Sequence, residues 1–224
     1  MRLLFLVALL SMSLAVAQAG PLTDRTQLTT LLVGPGTIET FEGFPVASGA
    51  AAGLGCSVLN SASVCGGQGP GLVVSGVNFT WGSGGGQWDG AGYYGSTSKE
   101  ILSGTPAGQP LVITFTSPVS GFGVDLRAFS GFPATATVSI YGSDDTTLIG
   151  AIAGIDLPSS GDLVFAGWWD SSGIGKVDLT QTGWSWSPII DNLEFGGGSA
   201  IPEPATVVFC VAGFAVLGIL RMRR

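Results

Sequence analysis

From Gly34 onward the chain is a succession of short alternating runs, each closed by a turn signal, and this pattern constrains the fold more than any other feature. In "PLVITFTS", Leu111, Ile113 and Phe115 fall on one face of an extended strand, with Val112, Thr114 and Thr116 on the other. "GFGVDLRAF" sets Phe122, Val124, Leu126 and Ala128 against Asp125 and Arg127, and "ATATVSIYG" sets Ala134, Ala136, Val138 and Ile140 against Thr135, Thr137, Ser139 and Tyr141. "TIETFEGF" places Ile38 opposite Thr37, Glu39 and Phe41. "GLVVSGVNFTW", "TTLIGAI", "LVFAGWW", "GKVDLTQT" and "PIIDNLEFG" have the length and the β-branched, aromatic content of further strands. "SGFP", "GSDD", "PSSGD" and "SSGIG" are turn signals between them.

About nine such strands without intervening helices predict an all-β fold, an antiparallel β-sandwich over 20–195. A jelly roll is the leading topology and a closed barrel the alternative. The absence of a repeat of fixed period argues against a solenoid or propeller. One helix is a candidate, in "LTDRTQLTTLLV", with Leu22, Leu28, Leu31 and Leu32 on its apolar face. The glycine-rich "WGSGGGQWDGAGYYGS" lacks the lysine and helix of a phosphate-binding loop and reads as a flexible surface loop with aromatic anchors.

Composition narrows the chemistry. The chain has no histidine, which removes Ser-His-Asp and Cys-His catalysis and histidine-ligated zinc. Between Gly20 and Ala200 there are 14 acids against four bases, a net of −10, with no basic stripe for nucleic acid. A glycosidase needs two carboxyls facing across a cleft, and no pair stands out in the sequence. The expectation is therefore a non-enzymatic protein without a cofactor. Glu39 and Glu42 near the first strand, with Asp191, Asn192 and Glu194 in the last, could join two neighbouring strands through a structural calcium. The preferred reading is that they are solvated polar-face residues and turn caps. Trp184 and Trp186 in "GWSWSP" share one face of an extended segment and are candidate glycan contacts. Core or core-edge packing is the preferred role for any single tryptophan, because each buries a large area.

The two ends read as addresses. Arg2, the apolar run Leu3–Leu10 and the small-x-small step Ala17-Gln18-Ala19 form the pattern of a signal peptide over 1–19. Cys56 and Cys65 flank a polar loop in the exported part and are expected to form a disulfide, whereas Cys210 reads as a buried apolar residue. A Gly/Ser linker, 196–200, precedes "IPEP". Proline keeps that step extended and exposed. Ala205–Leu220 then supplies 16 uncharged residues. As a helix they span about 24 Å, against a bilayer core of about 30 Å. Arg221, Arg223 and Arg224 would hold the C-terminus in the cytoplasm, leaving the body outside.

Ile201-Pro202-Glu203-Pro204, the apolar helix and the arginine cluster resemble the tripartite signal of the PEP-CTERM sorting proteins of Gram-negative bacteria, which usually carry V-P-E-P. The closing "DNLEFG", Asp191–Gly196, is similar to the last strand of β-rich members. The resemblance over 201–224 implies Pro202, Glu203, Pro204 and the three arginines as sorting determinants, and recognition by an exosortase-type membrane protease. It also implies delivery to the cell surface or matrix, and an association with exopolysaccharide. The expected partners are signal peptidase, that protease, the membrane and exopolysaccharide, and not nucleic acid. The alternatives are a carbohydrate-binding module, with or without calcium, and a single-pass membrane protein that is never cut.

Overall fold

The computed structural model describes residues 19–32, 34–82, 85–103, 110–129, 131–183 and 186–197, all within the compact unit Ala19–Ser199. The expected signal peptide over 1–19, all but Ala19, and the expected sorting segment 201–224 lie outside them. The described part is all-β and antiparallel, with one α-helix, α1 (Arg25–Leu31). Twelve strands are present among the described residues: β1 (Gly20–Leu22), β2 (Thr37–Glu39), β3 (Ala51–Gly53), β4 (Val58–Leu59), β5 (Val77–Thr80), β6 (Gly86–Asp89), β7 (Glu100–Ser103), β8 (Leu111–Arg127), β9 (Ala134–Gly142), β10 (Leu148–Leu157), β11 (Val164–Thr182) and β12 (Ile189–Gly196).

The strands form one hydrogen-bonded network, ordered β10-β9-β11-β8-β12-β7-β6-β3. Its backbone is the pair β8 and β11, which serve two halves. The first half of β8 pairs with β5 (Val77↔Phe115, Thr80↔Val112) and with the second half of β11 (Lys176↔Thr114, Leu179↔Leu111). The second half of β8 pairs with the first half of β11 (Trp168↔Phe122) and with β12 (Phe195↔Phe122). "PLVITFTS" and "GFGVDLRAF" were expected as two strands and are one, with Ser117 and Pro118 exposed at the change of partners. "LVFAGWW" and "GKVDLTQT" likewise merge into β11. The "SSGIG" signal between them is a register shift, not a turn. Asp170 Oδ1 accepts from the Ser172 N–H (2.8 Å) and hydroxyl (2.6 Å), and Gly173 takes φ 102°, so the extra residues loop out without breaking the strand.

The two halves pack on each other. Phe115 of the first half contacts Phe122 (ring centroids 6.3 Å) and Phe195 (5.2 Å) of the second. The Trp168 ring lies against the backbone of Gly150, where an added Cβ would sit 2.3 Å away. Alternation is kept where it was read: Leu111, Ile113, Phe122, Val124, Leu126, Ala136, Val138 and Ile140 are all buried. Burying a side chain of this kind stabilises by about 1.5–3 kcal/mol.

The helix is shorter than the candidate segment. Asp24 caps it by accepting from Gln27 N–H (3.0 Å), and only its Leu28 is buried; Leu32, just beyond, is buried too. The glycine-rich stretch is not a loop throughout. It contains β6, with Trp88 fully buried and its Nε1 donating to Phe41 O (2.8 Å), and a 3-10 turn at Tyr93–Gly95. Among the described residues no helix is long and apolar enough to cross a bilayer, and the candidate span 205–220 lies outside them.

Candidate functional site

A buried charged cluster lies where β6, β7 and the end of β8 come together. Asp89 on β6 stands opposite Glu100 on β7, and Ile101 of β7 stands opposite Ile190 of β12, which also pairs with Leu126 of β8. Arg127 at the end of β8 reaches Glu100 with both edges of its guanidinium: Nε donates to Oε1 (2.6 Å) and Nη2 to Oε2. Each side chain is 2% exposed. Burial lifts Glu100 to about 7, while Arg127 pulls it down and the Asp191 and Asp89 charges add to the rise. Asp89 is fully buried. Its Oδ1 accepts from Gln87 Nε2 (2.7 Å), and its Oδ2 has no hydrogen-bond partner among the described residues. Burial raises Asp89 to about 6, against the pull of Gln87 and Arg127.

Arg127 spends its remaining donors on the Tyr93–Gly95 turn. Nη1 donates to Tyr94 O (2.9 Å) and Nη2 to Tyr93 O (3.4 Å). The Gly90–Ala91 step that leads into the turn is fixed from outside. Gly90 N–H donates to Ala50 O (2.8 Å), while Gly49 N–H and Ser48 Oγ donate to Ala91 O (2.8 and 2.6 Å). Tyr94, whose carbonyl Arg127 holds, takes φ 49°, ψ 23°, the left-handed region that a bulky side chain seldom adopts. Its exposed ring begins to order a row of aromatics. Tyr93 and Tyr94 are 4.3 Å apart, Tyr94 and Phe129 4.5 Å, Phe129 and Trp186 6.1 Å, each pair edge to face. Phe129, Leu102 and Ile189 form a small core of their own beneath Trp186. Burial, then Tyr93 and the Asp89 charge, push the Tyr94 phenol up to about 12, so it remains protonated at neutral pH.

The Glu39 strand, second in the chain, does meet the last, as β2 and β12, in register Glu39↔Leu193; the first strand, β1, pairs with β11 instead. Their acids correct the expectation of a solvated polar face. Glu39, Asp191 and Glu194 are buried, and only Glu42 is exposed. Each buried acid is engaged by protein donors. Glu39 accepts from Phe41 N–H (2.5 Å) and Val74 N–H (2.6 Å), and Asp191 from Ser98 Oγ (2.5 Å) and Asn192 N–H (2.7 Å). Burial raises both Glu39 and Asp191 despite these bonds. Glu194 pairs with Arg25 (3.1 Å), which also meets Asp125 (3.0 Å) and Asn192 O (2.8 Å) and so pins α1 to β8 and β12. Glu42 accepts from Lys99 N–H (3.0 Å). No group of three or more acids or cysteines among the described residues is arranged to hold a metal ion.

Cys56 and Cys65 form a disulfide, with Cα atoms 5.3 Å apart. Trp186 is half-buried at the end of the aromatic row, and Trp184 lies outside the described residues. Trp81, Trp88, Trp168 and Trp169 are buried, consistent with core packing. Ala19 is exposed at the start of the described chain; Ala17, Pro202, Glu203, Pro204, Arg221, Arg223 and Arg224 fall outside it. A groove of about 580 Å³ beside α1, lined by Leu22, Asp24, Thr26, Gln27, Thr30 and Leu31, offers little chemistry beyond the capping Asp24. Sequence reasoning missed Asp89, Glu100 and Arg127, which are remote in sequence from Trp186. The signal that was available is "YYG" two residues after "DG", with a strand-forming "KEIL" following. Compared with protein-family models and with curated proteins, the chain finds no match in either.

Proposed function

We propose that the chain is an exported, non-enzymatic protein of the cell envelope or extracellular matrix, sorted through its C-terminal motif, apolar segment and arginines. The observation that supports export is the Cys56–Cys65 disulfide, because such bonds persist in oxidising compartments and are rare in the cytosol. In this reading signal peptidase cuts after Ala19, and the body is held as a membrane-anchored precursor. An exosortase-type protease then acts at Pro202-Glu203-Pro204 and releases the body to the surface, in company with exopolysaccharide. The body is read as a jelly-roll-like sandwich whose halves share β8 and β11. The lack of histidine and the internal pairing of the buried acids favour a structural role over catalysis.

The test is the intact mass and location of the protein in its native host. The expected species begins at Gly20, lacks the segment after Pro204 and is found outside the inner membrane. An uncut chain ending at Arg224 in the inner membrane would instead establish the single-pass alternative. The carbohydrate-binding alternative is favoured by one observation, the partly exposed aromatic row ending at Trp186. Its calcium-stabilised form is disfavoured, since the carboxylates of β2 and β12 already accept from protein donors.

A further inference from the structure

We infer that Asp89, Glu100 and Arg127 form a proton-operated catch on the Tyr93–Gly95 turn, closed while the two carboxyls carry one negative charge between them and released when both ionise. The inference goes beyond the sorting and carbohydrate readings and depends on neither.

Geometry carries it. Asp89 and Glu100 stand directly opposite each other on β6 and β7, so their side chains leave the ladder on the same face. They are 0% and 1% exposed. Two like charges placed so repel, and one of the two carboxyls keeps a proton. The guanidinium beside them is already committed. Arg127 gives Nε and Nη2 to Glu100, Nη1 to Tyr94 O (2.9 Å), and Nη2 also to Tyr93 O (3.4 Å). Asp89 Oδ2 is left without a donor among the described residues. An uncharged carboxyl tolerates such a place far better than a carboxylate does. When Asp89 ionises beside an ionised Glu100, it competes for Arg127 and draws the Nη donors off the turn carbonyls.

The turn is the element that yields. Tyr94 sits at φ 49°, and strain of this kind persists only where the surroundings over-determine it. Loss of the Nη1 bond lets Tyr94 relax. Its ring packs 4.5 Å from Phe129, so release uncovers part of the small core of Phe129, Leu102 and Ile189.

The charges around the pair set the direction. Asp89 meets Gln87 on its own strand, Glu100 across the ladder, Arg127 from β8 and the Tyr94 phenol from the turn. Glu100 meets Arg127, Asp89 and, from β12, Asp191, whose carboxyl accepts from Ser98 and Asn192. Lys99, next to Glu100 in the chain, pairs instead with Glu42 (3.7 Å). Burial holds Asp89 at about 6 and Glu100 at about 7, so the catch is closed in mild acid and opens as pH rises through neutrality.

The test is hydrogen exchange read by mass spectrometry on the full chain in detergent micelles. It is run at pH 5 and pH 8, with rates corrected for the chemical effect of pH. Peptides over 91–98 report on the turn, and peptides over 142–147 serve as the reference. That second turn shares no hydrogen bond with the catch among the described residues, and bonds from Thr147 and Thr146 hold its Asp144 well below the ordinary carboxylate range, ionised throughout. Protection over 91–98 is expected to fall at least about tenfold from pH 5 to pH 8, and the reference by less than about threefold. Asp89→Asn mimics the protonated acid, so at pH 8 its turn should be at least about tenfold better protected than the parent's. Unchanged protection over 91–98, or an equal fall in the reference turn, would overturn the inference. So would an Asp89→Asn turn that loses protection as the parent does. The parent series decides by itself if that variant does not fold.

Discussion

Arg127 and Glu100 show how much a single buried pair can organise. Both are desolvated, and the guanidinium also satisfies two carbonyls of the Tyr93–Gly95 turn. Removing one partner strands the other charge, which costs about 3–5 kcal/mol, whereas replacing both with apolar groups is often close to neutral. Arg127→Leu should therefore lower the urea midpoint sharply, and Arg127→Leu with Glu100→Leu should recover most of the loss. Equal destabilisation by the single and double variants would refute this account of the pair. Asp89 gives a pH signature. Its folded pKa, about 6, lies above its ordinary value of 3.8. A raised carboxyl contributes stability that is fully present below the ordinary pKa and is lost as pH rises through the folded one. Unfolding measured from pH 4 to 8 should show stability falling by about 2 kcal/mol on Asp89's account, and Asp89→Asn should remove that share while the raised Glu100 leaves a residual slope of the same sign. None of these three residues was legible as special in the sequence. Asp89 is one acid among 14 in the body, and its burial depends on β7 and the Tyr93–Gly95 turn closing around it.

At the scale of elements, the alternating runs were legible as strands: β9 lies where the pattern put it, and β8 covers two runs read as separate strands; β12 was legible from its β-branched and aromatic content. Short strands were not. β3, β4, β6 and β7 have two to four residues each, too few for a period to register, and each is fixed by pairing with a strand from elsewhere in the chain: β3 with β6, β4 with β5, β6 with β7, and β7 with β12. "SSGIG" misled because the residues that suit a turn also suit a bulge, and the choice depends on whether the partner strand continues. Gly90 marks where β6 gives way to the turn that carries Tyr94. A Cβ there would lie 2.1 Å from Ala47 O, so Gly90→Ala should displace that segment and destabilise by several times RT, of order 2 kcal/mol or more. Gly53, in β3, has nothing within 4 Å of an added Cβ, and Gly53→Ala should be neutral or stabilising by up to about 1 kcal/mol. Thermal unfolding of the two variants side by side checks the contrast.

At the scale of the whole molecule, the sorting prediction can be made without coordinates. Replacing Pro202, Glu203 and Pro204 with alanine should leave the body uncut at the inner membrane, read by intact mass and fractionation. Maturation of the triple variant would show that the motif is not the signal. Periodicity, turn chemistry and the missing histidine were enough to specify an all-β antiparallel body without histidine chemistry. They were also enough to pair Cys56 with Cys65. These are local or compositional properties, set by the two-residue repeat of a strand, by the few residues that suit a turn, or by the nearness of two thiols in the chain. What only the tertiary structure decided is which polar residues are withdrawn from water. Glu39 is buried while its apolar neighbour Ile38 is exposed, and Asp191 and Glu194 lie in a strand buried along most of its length; α1, Ser98 and the Phe41 and Val74 N–H groups supply these three acids with donors. The aromatic row likewise joins Tyr93 to Trp186 across more than 90 residues. Alternation says which residues share a face; only the packing of distant segments says what that face meets.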